Sequence, residues 1–554
     1  MADKTYDAIV VGGGHHGTII ACYLQHAGLQ TVIFERQHEL GGGACGEALP
    51  LPGFVQNPCA HFTRFYGHPS YDDFKLRTTG LSYVYPDHSE GMIYDDGMSF
   101  MGFTAWKVVD PDTGRAEFSE ENAQRTVDQI ARFSQHDADV AYDLLLKYKK
   151  KWRSAFHEFR YNPPTEWGVP DALERLIGDP EAGLPPEYQY YTSQQVAFDL
   201  FESDYMRTLF MRSCMTSSGV MPNDAVGFCM LLHTLGLILS WEPAAIAVGG
   251  THAITHALQR AFSAMGGEFV VEKPVEKAII ENGKAVGVKL ADGREIGARK
   301  LVVSDMNTPQ TILQLIGEEN VPPKIAYRAK NVLFDRSQLF WGNMALHELP
   351  QYTAEQENPG IGMCPRLNWG PKDADYFATR HHAEIITKGI PDKLVCIVAP
   401  DSIWDRTRAP EGKHTILIEQ FTAPYRFFSD REWLKMKKDI VKIMLEQWSW
   451  FAPNMTEENL IGAHITTPMD VQMRNTNMPQ GGWAMEDTFA SQFGRMRPFP
   501  EISGYRLPVQ NLYICSASGH SGPGIGKGSS YNCFKVIAED FGLRRIWEEK
   551  GRPY

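Results

Sequence analysis

Residues 7–35 narrow the folds open to this chain more than any other stretch. Asp7-Ala8-Ile9-Val10-Val11 is a short apolar run, suited to a strand buried on both faces. Gly12-x-Gly14-x-x-Gly17 follows at once. Residues 18–27 then have helical spacing, with Ile20, Leu24 and Ala27 on one face and Gly28 as the stop. Thr31-Val32-Ile33-Phe34 supplies a second strand that ends at Glu35. Strand, glycine turn, helix and second strand in this order predict a βαβ unit and an α/β fold of Rossmann type.

Each glycine has a steric task. Gly12 makes the tight turn, Gly14 lets the backbone approach a pyrophosphate, and Gly17 lets helix and strand pack closely. The helix N-terminus offers unpaired N–H groups and partial positive charge to the phosphates. Glu35 is placed to accept hydrogen bonds from a ribose diol. Arg36 would suit a 2′-phosphate, but Glu35 would repel one, so Arg36 is expected along the adenosine edge or in solvent. His15 and His16 lie in the phosphate loop and are expected to cover the pyrophosphate rather than to catalyse. Gly41-Gly42 follow six residues past Glu35, a spacing that resembles a recurring flavoprotein extension whose loop closes over the same phosphates.

A chain of 554 residues exceeds one simple core and predicts two domains. The net charge of −13 argues against nucleic acid and against a broad polybasic membrane contact, though not against local apolar docking on a membrane. Nine cysteines without a C-x-x-C pair suit free thiols in a reducing compartment. The first strand starts almost at once, with no apolar signal region before it, so the cytoplasm is the expected location. Residues 225–241 are mostly apolar but carry His233, Thr234 and Ser240, which favours a buried helix over a membrane span. His381-His382 lacks a third ligand at metal spacing, and no metal is expected.

A second glycine-rich segment lies near the other end: Gly519-His520-Ser521-Gly522-Pro523-Gly524-Ile525-Gly526-Lys527-Gly528. It follows an apolar strand-like run at 507–515 and precedes a helical stretch at 529–540. The N-terminal fingerprint alone allows NAD or FAD. A large flavin nucleotide needs protein on both of its halves, and two glycine segments provide that.

Several blocks together resemble the phytoene desaturase-like flavoproteins, within the amine-oxidase-type FAD superfamily. They are Glu35-x5-Gly41-Gly42, Gly53-Phe54-Val55-Gln56-Asn57-Pro58, Tyr83-Val84-Tyr85-Pro86-Asp87, the run from Val248-Gly249-Gly250-Thr251 to Val302-Val303-Ser304-Asp305, and Met496-Arg497-Pro498 before the C-terminal loop. Within the middle run, Asn282-Gly283 and Asp292-Gly293 read independently as hairpin turns. The resemblance implies a Rossmann-like FAD-binding domain, discontinuous in sequence (1–75, 243–325 and 481–554), with an α+β substrate-binding domain (76–242 and 326–480). It places the backbone of Val275 at adenine, returns the chain to the nucleotide sheet at Ser304, and sets Gly519, His520, Gly524 and Ile525 beside the flavin. The chain departs from the pattern at His15-His16, at Asn57 and at Lys527.

The implied chemistry is hydride transfer to flavin N5, with the protein orienting substrate and stabilising charge near N1. Three residues are the candidates for catalysis. His520 either orients the ring and moves a proton, or is merely bonded to backbone in a tight turn. Lys527 either points at the ring, or turns out to solvent or pairs with a nearby acid. His61 follows the 53–58 turn and faces the ring from the substrate side. Ser518 and Ser521 are candidate flavin partners, and Ser529 or Ser530 candidate helix caps. Phe156, Phe159, Tyr161, Phe198, Phe201, Phe210, Met206, Met211, Met215 and Met230 form a stripe that is either core or pocket. The leading expectation is an FAD-dependent dehydrogenase or desaturase acting on a hydrophobic, terpenoid- or lipid-like molecule. Its electron acceptor is left open between oxygen, a quinone and an electron-transfer protein. The alternatives are a flavin-dependent isomerase or hydratase, an amine oxidase, and a flavin-bearing scaffold without turnover.

Overall fold

The computed structural model describes residues 4–61, 63–239 and 242–554. The first stretch of sequence becomes strand β1 (Lys4–Val11), helix α1 (His15–His26) and strand β2 (Thr31–Phe34). β1 and β2 run parallel, with Ala8 beside Thr31 and Val11 beside Phe34. Both strands bury nearly every side chain over this paired length, as the apolar runs require. Gly28 takes φ +90° just past the helix, the left-handed position glycine fills most readily.

This pair belongs to a seven-stranded sheet drawn from distant parts of the chain. Its path is Glu268–Val270, β2, β1, Glu295–Ser304, Lys284–Leu290 and Val275–Glu281, with Leu512–Ile514 beside Glu295–Ser304. The strand Glu295–Ser304 is the hub. β1 pairs parallel to it, and its last residues, Val302 to Ser304, pair parallel with Leu512 to Ile514. Both glycine-rich loops therefore leave the same end of the sheet from strands flanking one neighbour. Asn282 and Gly283 both have positive φ between the antiparallel strands, as a tight hairpin demands. The strand expected over 507–515 is only Leu512–Ile514, because Pro508 has no N–H to donate and Asn511 turns at φ +65°.

A second seven-stranded sheet holds the other half of the molecule. Its order is Leu460–Thr466, Leu339–Leu346, His414–Phe421, Cys396–Ala399, Arg366–Gly370, His88–Tyr94 and Ser99–Phe103. All neighbours are antiparallel except Arg366–Gly370 with His88–Tyr94. Helices from 120 to 238 pack against this sheet around one large apolar cluster. Residues of the Met/aromatic stripe, among them Phe201, Met206, Phe210 and Met215, are buried in that cluster. The apolar stretch near 225–241 is the buried helix Gly227–Ile238, and among the described residues no helix is long and apolar enough to cross a membrane. All nine cysteines are free thiols, eight of them buried.

Candidate functional site

A cavity of about 670 Å³ runs between the two sheets. Its lining passes from Gly12, Gly14 and Glu35, past Gly41 and Gly42, to the loop 523–527 and the strands of the second sheet.

The phosphate-loop end is built by close backbone approach. Gly12 has φ +98°. A side chain on Gly14 would meet the Asp305 carboxylate at 2.6 Å, and one on Gly17 would run into the Gly12 carbonyl. The second loop lies directly on the first. Gly41 N–H donates to Gly13 O at 2.9 Å, and Gly42, at φ +59°, brings its would-be Cβ within 3.1 Å of Gly14 Cα. Glu35 fixes this arrangement: one oxygen accepts Gly13 N–H at 2.7 Å and the other Gln37 N–H at 2.8 Å. Its remaining lone pairs can serve a diol.

Asp305 also lines this end, and nothing in the local sequence marked it. It sits one residue past the hub strand, under the phosphate loop. Burial, reinforced by the nearby Glu35 charge, drives its carboxyl well above the usual range; the N–H groups of Gly17 and Gly14 pull the other way and do not prevail. A protonated Asp305 does not repel phosphate. Ser304, the sequence candidate, does not line the cavity. Strand alternation turns its side chain to the opposite face, where its hydroxyl bonds Thr311 at 2.7 Å.

The two adjacent histidines separate. His15 lines the cavity, and burial pushes its pKa down to about 4, so it stays neutral. His16 turns away to Ser530 at 3.2 Å and does not line it. Arg36 lines the rim and donates to the Arg474 carbonyl at 3.1 Å, and Val275 lines it beside Pro274. A further cluster lies at this rim: ligand atoms of Glu39, His252 and His256 all fall within 4.8 Å of one another, a spacing open to a metal ion that no local sequence pattern announced.

At the far end the C-terminal loop contributes Pro523, Gly524, Ile525, Gly526 and Lys527. Lys527 points inward, so the solvent alternative fails. Burial first, then the neighbouring Arg160 and, after Cys229 pulling the other way, Arg64 push its pKa down to about 7. His520 is not at the cavity, and neither is Gly519. The His520 ring bonds the Phe159 carbonyl at 2.7 Å and packs edge-on to the Phe159 ring, and burial pushes its pKa down to about 4. A side chain on Gly519 would meet Ser529 Oγ at 2.6 Å, so this glycine serves packing against the following helix. Ser518 donates to Glu486 at 2.5 Å and Ser521 accepts from Gly528 N–H at 2.9 Å. Neither faces the cavity. The helix Ser529–Phe541 has Gly528 as its N-cap, while Ser529 donates instead to Ser516 O.

His61 lines the cavity and stands 3.4 Å from Glu419, which also accepts the Trp341 indole N–H at 2.8 Å. Burial favours a neutral Glu419, but His61, Trp341 and Arg366 outweigh it and hold the carboxyl below its usual value. Leu339, Trp341, Ile397, Phe421, Met478 and Trp483 complete an apolar wall here. Arg497, which no sequence signal singled out beyond its place in the Met496-Arg497-Pro498 block, supports this end. Fully buried, its guanidinium donates to the carbonyls of Ala517, Glu486, Asp487 and Gln492 at 2.8–3.2 Å. Ala517 lines the cavity, so Arg497 ties the 484–492 loops to the site's floor.

A family model described as an NAD(P)-binding Rossmann-like domain matches residues 10–70. Pyridine nucleotide-disulfide oxidoreductase domain-containing protein 2 of Rattus norvegicus is 27% identical, covering 97% of this chain and 94% of that protein. A limonene dehydrogenase polypeptide of Castellaniella defragrans is 25% identical, covering 99% of this chain and 97% of that protein. The lycopene-forming phytoene desaturase of a Paracoccus species is 23% identical, covering 94% of each. Among solved structures, an oxidoreductase from Methanosarcina mazei aligns at TM-score 0.59 with 16% identity, over 96% of this chain and 99% of that one. A redesigned putrescine oxidase aligns at TM-score 0.58 with 12% identity, over 97% and 98%. These structures share the fold.

Proposed function

We propose, from the premise that this chain is related along nearly its whole length to the phytoene desaturase-like oxidoreductases, that it binds FAD along the cavity and dehydrogenates a hydrophobic small molecule. One observation carries the reading. A single cavity joins the Gly12–Gly14–Glu35 loop to the 523–527 loop and continues into an apolar wall. Its glycine cradle is too tight for side chains where a pyrophosphate would lie, and Glu35 keeps acceptor capacity for a ribose. On this reading 1–75, 243–325 and 481–554 serve the cofactor, and 76–242 and 326–480 the substrate.

FAD, when bound, supplies the hydride acceptor. The chain's own residues do the rest. Gly12, Gly14, Gly41 and Gly42 bring backbone to the diphosphate, and neutral Asp305 and His15 add no repulsion or competing charge. Trp341, Phe421 and Trp483 hold apolar substrate and exclude water. Ionised Glu419 accepts from His61 Nδ1–H, a pairing that favours the tautomer with its lone pair on Nε2. His61 is thus set to take a proton from substrate, and Lys527 to place positive charge beside the ring.

Anaerobic mixing with candidate hydrophobic substrates tests this. Bleaching of the oxidised-flavin absorption band supports dehydrogenation, and His61→Gln should slow it while leaving bound flavin unchanged. Purified protein that holds no FAD after reconstitution would overturn the reading.

A further inference from the structure

A second cavity, about 540 Å³, lies between the helices Arg153–Tyr161 and Gly227–Ile238. Four residues line both cavities: Arg64, Arg160, His233 and Leu237. The two spaces therefore meet there, next to Lys527. The outer mouth is lined by exposed Arg115, Lys149 and Lys150. Its inner carboxylate, Glu242, is already engaged by Arg153 at 2.9 Å, Tyr148 at 2.9 Å and His157 at 3.4 Å.

Among the described residues, Arg160 and Lys527 at the junction lack the ion pairs that Arg366 and His61 make. Along the main cavity Arg366 has Glu90 at 3.4 Å and His61 has Glu419 at 3.4 Å. Among the described residues no carboxylate lies within 4 Å of Arg160 or Lys527. Arg160 instead lies over the Phe156 ring at 4.3 Å, and its buried Nε has no hydrogen-bond partner. Two cations facing a cavity, one with an unsatisfied N–H, are costly unless something anionic arrives. In a chain of net charge −13 these two cations make a local positive spot, although Asp72 and Glu242 also line the second cavity and Glu120 pairs with Lys149 at its mouth.

We propose that the substrate is amphiphilic and that Arg160 and Lys527 bind its oxyanion head, a carboxylate or a phosphate, where the two cavities meet. The apolar body then lies along Trp341 and Phe421, and the second mouth admits the charged end. This rests on the dehydrogenase reading for what happens to the body, but not for the binding of the head. Planar guanidinium and carboxylate or phosphate match as paired N–H···O bonds, which is why Arg160 is assigned the head and Lys527 the charge.

Lys527 gives the site a pH signature. The charged or titratable groups acting on it or sensing it are Arg160, Arg64, Cys229, His233 and His520. Burial first holds both histidines below their usual value, His520 at about 4. An arriving anion favours the ammonium form, so binding takes up a proton and weakens as pH rises above about 7.

The test titrates flavin-loaded protein with decanoate, decyl phosphate and methyl decanoate, reading the flavin spectrum and calorimetric heat. Decanoate or decyl phosphate should bind at least tenfold more tightly than the ester, and the better of the two names the head. Arg160→Gln should abolish that preference without lowering ester affinity or flavin content, and Arg160→Lys should restore part of it. Decanoate affinity should fall between pH 6.5 and 8.5 in the parent and stay flat in Lys527→Met. Equal affinity for acid, phosphate and ester, or a flat pH profile in the parent, overturns the proposal. If the anions bind as expected while no amphiphile ever bleaches the flavin, the head site stands and the dehydrogenase reading falls.

Discussion

The two glycine-rich loops face one cavity but are held by opposite means. The N-terminal loop is held chiefly from within, with Asp305 beneath it facing the Gly14 and Gly17 N–H groups. Its constraints are backbone contacts among Gly12, Gly13, Gly14, Gly17, Gly41 and Gly42, with Glu35 tying the ends together. The C-terminal loop is held by strangers. Tyr161 donates to Gly526 O from 365 residues away, His520 is anchored on Phe159 from 361 residues away, and Arg497 clamps Ala517. A loop that fixes its own shape can be a portable motif. One fixed from outside is only as well placed as the domain that packs on it.

That contrast can be broken at several points. The largest effect is expected from Gly17→Ala, whose methyl would strike the Gly12 carbonyl. Overpacking of this kind costs about 1–3 kcal/mol or more, and bound flavin per protein should fall to near zero. Retention of full flavin would mean the N-terminal loop is not self-fixed. Arg497→Met comes next. It strands four buried carbonyls, each worth roughly 1–3 kcal/mol when unsatisfied. Urea unfolding should show a loss of about 4 kcal/mol or more, and a loss below about 1 kcal/mol would deny Arg497 its clamp.

Lys527→Met sharpens the comparison through pH. The folded pKa of Lys527 lies near about 7, below the unfolded value of 10.5. The unfolded chain then binds more protons between these values, so burying Lys527 costs most below pH 7 and nothing above 10.5. The variant should be more stable than the parent at pH 6–7, with the gap closing as pH rises. A gap constant with pH would show that Lys527 keeps its ordinary pKa. The smallest effect is expected at His16→Ala, which touches Ser530 and not the cavity: flavin affinity should change by less than about 0.5 kcal/mol, whereas a tenfold loss would put His16 against the cofactor.

What the sequence disclosed follows the same division. The βαβ unit and the Asn282-Gly283 hairpin are local, so spacing alone revealed them, whereas the Gly41-Gly42 overlay came through the family resemblance. Of the two alternatives for His520, the fold shows the backbone-bonded one, and its partner, Phe159, lies in a helix with no sequence cue linking the two. Ser304 was off by one: the strand was legible, but not which face met the cavity, and Asp305 was the residue to name. Of the Met/aromatic stripe, Phe156 and Tyr161 reach a cavity while Phe201, Met206 and Met215 fill the core, a distinction helical spacing does not encode. The Arg160–Lys527 junction brings together residues 367 positions apart, and only the folded chain shows it.

The hub strand Glu295–Ser304 has a consequence for how this protein comes into being. β1 emerges first and waits for that neighbour until almost 300 residues have been made, and the strand at 512–514 follows some 500 residues after β1. At roughly 5–20 residues per second, completing the sheet takes about 25–100 s, and for much of that time an apolar strand edge lies open on the nascent chain. No partial product ending before the second glycine loop can seal the cavity. Synthesis thus withholds the cofactor site until that loop has been made, and an interrupted chain is a sticky intermediate rather than a weak enzyme.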